Sequence, residues 1–336
     1  MIITLLSIIA LFIILSFLYY FMMIKKPVNI INKAIKSVNK GNFDVRLQNL
    51  TGTKSISNLA DEINSMVKLI NSLDDKLKVG SKIAKVIEPQ LKIAAKLQKS
   101  LLPKITDKYI NNQFQLYINL IPSIVMSGDF YDFFYLNSKT LALIIADVSG
   151  KGMPGAFYMS IAKILIKDEC LGIDEYSAHD PAKIMNKVNK VIYRNNPEMM
   201  FLTMYLVFYD IETGKVTYSN AGHHEFILLE NNGSIKTDGF TKKAAIGLFE
   251  DTEYISKETQ LMQNQTIIFY TDGIVEAPDS NKNAYGTDRL KNIFQKNSLK
   301  ELNDLGDTVI QDVLNYQNNV KFDDITLLML KRINKT

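Results

Sequence analysis

Residues 2–24, IITLLSIIALFIILSFLYYFMMI, carry no charged side chain. A helix needs about 20 apolar residues to cross a bilayer, and this run is long enough. Tyr19, Tyr20 and Phe21 stand near one end, where the aromatic belt of a membrane helix sits. A secretory signal peptide is the competing reading. No basic residue precedes the run, however, and no small-residue cleavage site follows it. Lys25 and Lys26 close the segment, so the positive-inside bias puts the N-terminus outside and everything after them in the cytoplasm. Residues 1–24 are therefore expected to form a single transmembrane helix in the inner (plasma) membrane.

The formal charge is nearly balanced at +4, and no dense basic stripe with interleaved aromatics is present, so no nucleic-acid partner is expected. A single cysteine, Cys170, rules out an internal disulfide framework and suits a reducing compartment. It also lies outside the C-x5-R pattern of cysteine-dependent phosphatases and reads as a small core residue.

After the membrane segment, Ile30, Ala34 and Val38 recur at helical spacing. GNFDVRL then interrupts, and Leu59, Ile63, Met66, Leu69 and Leu73 resume the rhythm. Residues 25–77 resemble a HAMP signal-relay module: Pro27 just inside the membrane, Gly41-Asn42-Phe43 after the first helix, and Asn64-Ser65-Met66 late in the second. Ser55 departs from that family, which usually carries an acidic residue there. An ordinary amphipathic juxtamembrane hairpin has the same spacing. The rhythm continues through Ile83, Ile87, Ala94, Leu97 and Leu101, with weak positions at Lys76, Gly80 and Gln90. Residues 78–104 are thus predicted to be a helical coiled-coil linker, and the HAMP-like and linker helices together to pair two chains as a homodimer. Pro89 should kink or divide it, and it should end before Pro103.

From about Asn112 the texture changes to strands. FQLYINLI, FYDFFYL, LALIIADV, FLTMYLVFYD, KVTYSNA, EFILLE, QTIIFYTD and ITLLML are the candidates. Helices are predicted over Pro154–Lys167, Pro181–Arg194 and two segments near the C-terminus, with Asp180-Pro181 as an N-cap and first-turn proline. Consecutive, hairpin-linked strands with grouped helices indicate an α+β fold.

Gly150, Gly152 and Gly155 are spaced as the G-x-G-x-x-G dinucleotide fingerprint. The context argues against that reading. KDECLGIDEYSAHDP offers no second strand ending in an acidic residue, Pro154 removes a backbone donor, and Asp147 would repel a pyrophosphate. The aspartates are more coherent: Asp129, Asp147, Asp272 and Asp323 each stand where an apolar strand meets a turn. One such residue is ordinarily a cap or turn residue. Four in similar settings point to a hard-oxygen site for Mg²⁺ or Mn²⁺, since buried carboxylates need pairing with a cation.

SGDFYDFF, IADVSGKGMPGAFYMSIAK, FLTMYLVFYDIETGKVTYSNAGHH, YTDGIVEA with YGTDRL, and DDITLLML follow in the order seen in the bacterial SpoIIE/RsbU-like branch of the PPM (protein phosphatase 2C) serine/threonine phosphatases. The preceding LQKSLLPK resembles the linker of that branch. The resemblance covers nearly all of residues 112–332 and implies an αββα sandwich over residues 105–336 with a two-ion site at one edge. Asp147 then resembles the bridging carboxylate, the Val148 carbonyl the backbone ligand beside it, and Asp129, Asp272 and Asp323 the other ligands. Asp147 and Asp272 stand out as catalytic, and Asp324, where relatives often have asparagine, ranks behind Asp323. Two ions of Mn²⁺ or Mg²⁺ would activate a water for attack on phosphorus, with no phosphoenzyme. A phosphorylated STAS-domain anti-anti-sigma-type regulator is the substrate so implied, and a catalytically silent scaffold binding such a regulator is the alternative. Ser127 replaces the more common glycine, and a left-handed backbone there would be strained. His223 reads as either structural or near the site, His224 stands where proline is common, and His179 reads as a loop residue. Lys151 is either a phosphate-binding residue or a solvated turn lysine.

Overall fold

The computed structural model describes residues 11–12, 14–38, 46–48, 54–106, 113–172, 180–196, 198–241 and 243–333. Residues 2–10, Gly41-Asn42-Phe43 and His179 lie outside the described residues, as do the side chains of Leu59, Met66, Leu69, Leu73 and Ile83. The chain divides into two compact units, Met1–Pro89 and Gln90–Thr336.

In the first unit, Ile14–Ala34 is long and apolar enough to cross a membrane by length and composition. Ile14, Leu15, Phe17 and Tyr19 on that stretch have exposed side chains. A π-helical turn, Phe21–Lys25, leads into α1 (Lys26–Val38). Ile31 and Ala34 on α1 pack with Leu47 of the connector and Ala60 of the next helix, α2 (Lys54–Leu101). The Asn64 side chain holds Leu47 in place, accepting from its N–H and donating to its carbonyl, both at 2.9 Å. Of the two outcomes expected at Pro89, division does not occur: α2 runs through it as one helix. A single proline removes one i→i−4 bond and leaves the rest of the ladder to carry the helix through.

The second unit is built on two antiparallel sheets. Its elements after α2 are β1 (Phe114–Ile121), β2 (Phe130–Tyr135), β3 (Thr140–Val148), α3 (Met153–Leu171), α4 (Pro181–Arg194), β4 (Leu202–Asp210), β5 (Lys215–Ala221), β6 (Phe226–Leu229), β7 (Ile235–Asp238), β8 (Lys257–Gln260), β9 (Thr266–Tyr270), α5 (Asp272–Val275), α6 (Thr287–Lys296), α7 (Leu302–Tyr316) and β10 (Ile325–Arg332). One sheet runs β1-β10-β9-β6-β7 and the other β2-β3-β4-β5-β8. Between the sheets lies a core that includes Phe133, Tyr205, Tyr218, Phe226, Phe269 and Leu328. On the outer face of the second sheet α3 and α4 bury Met159, Ile166, Met185 and Val188, and on that of the first α6 and α7 bury Leu290, Phe294, Val309 and Val313. The layers are therefore αββα, as the resemblance implied. Strands covered on both faces read as nearly unbroken apolar runs, which is why LALIIADV and FLTMYLVFYD do not alternate.

Local chemistry sets the element ends. Asp180 Oδ1 accepts from the Ala182 N–H at 3.0 Å with Pro181 in the first turn, so α4 starts as predicted. Helix α3 is longer than predicted at both ends. Cys170 is fully buried on it, and burial pushes its thiol pKa up to about 12, the state of an inert core residue. Asp132 of β2 is buried beside it and ion-paired to Lys163 and Lys167 of α3.

Candidate metal centre

The four aspartates come from strand ends at a shared edge of the two sheets. Asp129 immediately precedes β2 and Asp147 lies in the penultimate position of β3; the register pairs Phe130 with Ala146. In the other sheet, Thr271 links the end of β9 to the start of β10 by donating its N–H to the Thr326 carbonyl at 3.1 Å. That link places Asp272, at the start of α5, beside Asp323, two residues before β10.

Asp129 joins the sheets. It is 1% exposed, and its Oδ2 accepts from Thr271 Oγ1 at 2.7 Å and from Thr326 Oγ1 at 2.6 Å. Burial, then the charge of Asp147, holds its pKa well above the usual carboxylate range. Burial followed by the charges of Asp272, Asp323 and Asp324 pushes Asp147 up to about 7. Asp272 is raised too, by burial and then by Asp323 and Glu276. These shifts mean that the carboxylates lie close enough to repel one another, which a cation would relieve.

Asp324 serves a different purpose. Its Oδ1 accepts from the N–H and hydroxyl of Ser123 at 2.6 and 2.9 Å, and its Oδ2 from Ser127 Oγ at 2.7 Å and the Gly128 N–H at 2.8 Å. With both oxygens committed, it anchors the loop that carries Asp129 and leaves Asp323 facing outward. Ser127 avoids the left-handed backbone that would have strained it, and it contributes the hydroxyl that glycine lacks. A Cβ on Gly128 would lie 2.9 Å from the Val148 carbonyl, so only glycine lets the two loops approach this closely. In the turn after Val148, Gly150 and Gly152 hold φ of +89° and +75° and bring the chain sharply round to α3. The glycine spacing thus serves Asp147 rather than a dinucleotide.

A neighbour of the site was not legible in the sequence. Gln98, on the last turns of α2, donates to the Ser127 carbonyl at 2.6 Å and accepts from its N–H at 3.1 Å. His224 is exposed and stacks on Tyr270 at 5.8 Å between ring centroids, close enough for its charge to lower the Asp272 pKa. His223 is buried with Nδ1 2.8 Å from Thr203 Oγ1, and Thr203 is paired with Asp147 across β3 and β4. Burial, with the His224 charge, pulls the His223 pKa down to about 3, so its imidazole is held neutral.

Among the described residues, no three His, Cys, Asp or Glu side chains already converge tightly enough to enclose an ion. Asp129 is turned to its threonines and Asp323 to Lys151. The donor set nonetheless fits a hard divalent cation. It is all oxygen, it gathers mutually repelling carboxylates, and the Val148 carbonyl lies beside Asp129's loop.

Known proteins resemble this chain in sequence and in fold. The chain is 26% identical over 212 residues to phosphoserine phosphatase RsbU of Bacillus subtilis, a match covering 63% of this chain and 61% of that protein. Phosphoserine phosphatase RsbP of the same organism is 26% identical over 192 residues, covering 56% of this chain and 45% of the relative. This chain thus matches less than two thirds of either protein's length. The SiaA-PP2C domain of Pseudomonas aeruginosa superposes with a TM-score of 0.63 at 21% identity, covering 74% of this chain and 98% of the domain, a likeness of fold. The profile of the stage II sporulation protein E family matches residues 137–333, from just before β3 through β10 with Asp147, Asp272 and Asp323 inside it, and the chain belongs to the SpoIIE family.

Proposed function

We propose that this protein is a membrane-anchored, metal-dependent protein serine/threonine phosphatase. The observation that carries the reading is the gathering of Asp129, Asp147, Asp272 and Asp323 at one sheet edge, with three of them held above the usual carboxylate range by burial and mutual charge. Asp147, Asp129, Asp272, Asp323 and the Val148 carbonyl are the groups that would hold two ions of Mn²⁺ or Mg²⁺. When bound, such ions supply a water activated for in-line attack on phosphorus and offset the charge that develops on the phosphoryl oxygens. The chain's own contribution is positional. Thr271 and Thr326 orient Asp129, Asp324 ties its loop to the start of β10, and the glycine turn keeps Val148 and Asp147 at the rim.

The proposed substrate is a phosphorylated STAS-domain regulator in a partner-switching pathway, in keeping with the phosphoserine phosphatases RsbU and RsbP. In the proposed organisation residues 1–24 anchor the chain in the plasma membrane, residues 25–77 relay a signal as a HAMP-like unit, residues 78–104 pair two copies, and residues 105–336 catalyse in the cytoplasm. The exposed apolar helix and the packing of Leu47 against Ile31, Ala34 and Ala60 support the first two assignments.

The test is phosphate release from phosphorylated STAS-domain proteins by the full chain in detergent. Release is expected with Mn²⁺ or Mg²⁺ and not in excess chelator, and Asp272→Asn should lose most of it. Undiminished release in chelator would overturn the metal assignment. Metal-dependent release from other phosphoproteins but none from STAS proteins would overturn the substrate.

A further inference from the structure

Lys151 occupies the turn between Gly150 and Gly152, four residues after Asp147. A turn lysine is ordinarily solvated. Here its ammonium meets three groups on the loop that leads into β10. Its Nζ lies 2.8 Å from Asp323 Oδ2, donates to the Phe322 carbonyl at 3.0 Å, and stands 5.1 Å from the centroid of the Phe322 ring. The ammonium therefore offsets the charge of a partly exposed member of the aspartate set.

We propose that Lys151 is an internal counter-cation of the metal centre. It competes with a divalent ion for Asp323 and, once displaced, serves as the cation that meets the substrate's phosphoryl oxygens. The inference rests on Asp323 being a metal ligand. An ammonium and a divalent ion cannot share a carboxylate at contact distance without strong repulsion, so loading Asp323 must move the lysine. The pair is weak enough to be displaced: its side chains are 52% and 29% exposed, and exposed ion pairs contribute little. Lysine's flexible stem, flanked by glycines at positive φ, can swing without unfolding the turn. Because that turn directly follows Asp147 and Val148 at the end of β3, the displaced ammonium remains at the rim of the site.

The arginines of this unit point to the same residue by elimination. Arg194 pairs with Glu250, Arg289 with Asp312, and Arg332 donates to the Leu261 and Glu212 carbonyls, all away from the four aspartates. Arginine is the usual bidentate partner of a phosphoryl group, and lysine performs the role as a point charge.

The experiment is a Mn²⁺ titration of the full chain in detergent, read by the paramagnetic resonance of free Mn²⁺, followed by binding of inorganic phosphate to the loaded protein. Lys151→Met should bind its weaker ion about two- to fivefold tighter, the worth of an exposed ion pair, and bind phosphate more weakly. Lys151→Arg, which keeps the charge, should behave like the parent in the manganese titration. Equal or weaker Mn²⁺ affinity in Lys151→Met overturns the competition, and unchanged phosphate binding overturns the phosphoryl role. Asp323→Asn separates the two layers of inference. Loss of an ion in that variant with no effect of Lys151→Met rejects the counter-cation alone. Unchanged Mn²⁺ binding in Asp323→Asn rejects the ligand assignment and the proposal with it.

Discussion

Asp147 is ionised above 3.8 in an unfolded chain, whereas in the fold burial and the charges of Asp272, Asp323 and Asp324 delay ionisation to about 7. Across that window the unfolded state releases its proton first, so without a cation the fold loses stability as pH rises. Asp147→Asn removes the charge but keeps the shape. It should melt at a higher temperature than the parent in chelator at pH 8, yet release almost no phosphate with Mn²⁺; a lower melting temperature would contradict the repulsion inferred for the cluster. His223 has the opposite sign. Its pKa falls from 6.5 to about 3 on folding, so the unfolded chain takes up a proton first and stability is lost as pH drops through that range. Between pH 6.5 and 5 this amounts to about 2 kcal/mol, at about 1.4 kcal/mol per pH unit. His223→Gln, which can still meet Thr203, should flatten that part of the urea-unfolding profile relative to the parent. An identical pH slope would show that His223 is not held neutral.

At the level of elements, α2 meets the aspartate edge through Gln98, which is 8% exposed and satisfies both backbone groups of Ser127. Gln98→Ala leaves a buried N–H and carbonyl without partners, at a cost of about 1–3 kcal/mol per group. Urea unfolding should move by that order, and Mn²⁺ affinity should fall because Asp129 lies two residues beyond Ser127. Stability and Mn²⁺ affinity both at the parent level would mean that the clamp contributes nothing. Other elements show which signals are legible in a sequence. Helix α4 was readable because its cap, its first-turn proline and its apolar face at Ile184, Met185, Val188 and Ile192 agree. Strands β7 and β8 were not, since IKTD and KETQ lie at sheet edges, are largely exposed, and carry neither alternation nor an apolar run.

For the whole molecule, an apolar N-terminal run followed by Lys25 and Lys26 predicts one crossing with the remainder inside. A reporter fused after Thr336 should therefore read as cytoplasmic in intact cells. A periplasmic signal would reverse the topology and remove a cytoplasmic regulator from consideration as substrate. The Gln90–Thr336 unit holds the two sheets and all four aspartates.

The positions of the four aspartates at strand ends, the α+β class and the glycine turn beside Asp147 were legible in one dimension, because each depends on short-range pattern: apolar runs, turn residues and caps. The division of labour between Asp323 and Asp324 was not. Neighbouring aspartates look alike in a sequence, and only the arrival of Ser123, Ser127 and Gly128 from some 200 residues away commits one to hydrogen bonds and leaves the other to Lys151. The buried Asp132–Lys163 pair and the His223–Thr203 contact are of the same kind. A charge or an imidazole takes its role from the groups that packing brings around it, and those groups come from strands and helices far apart along the chain.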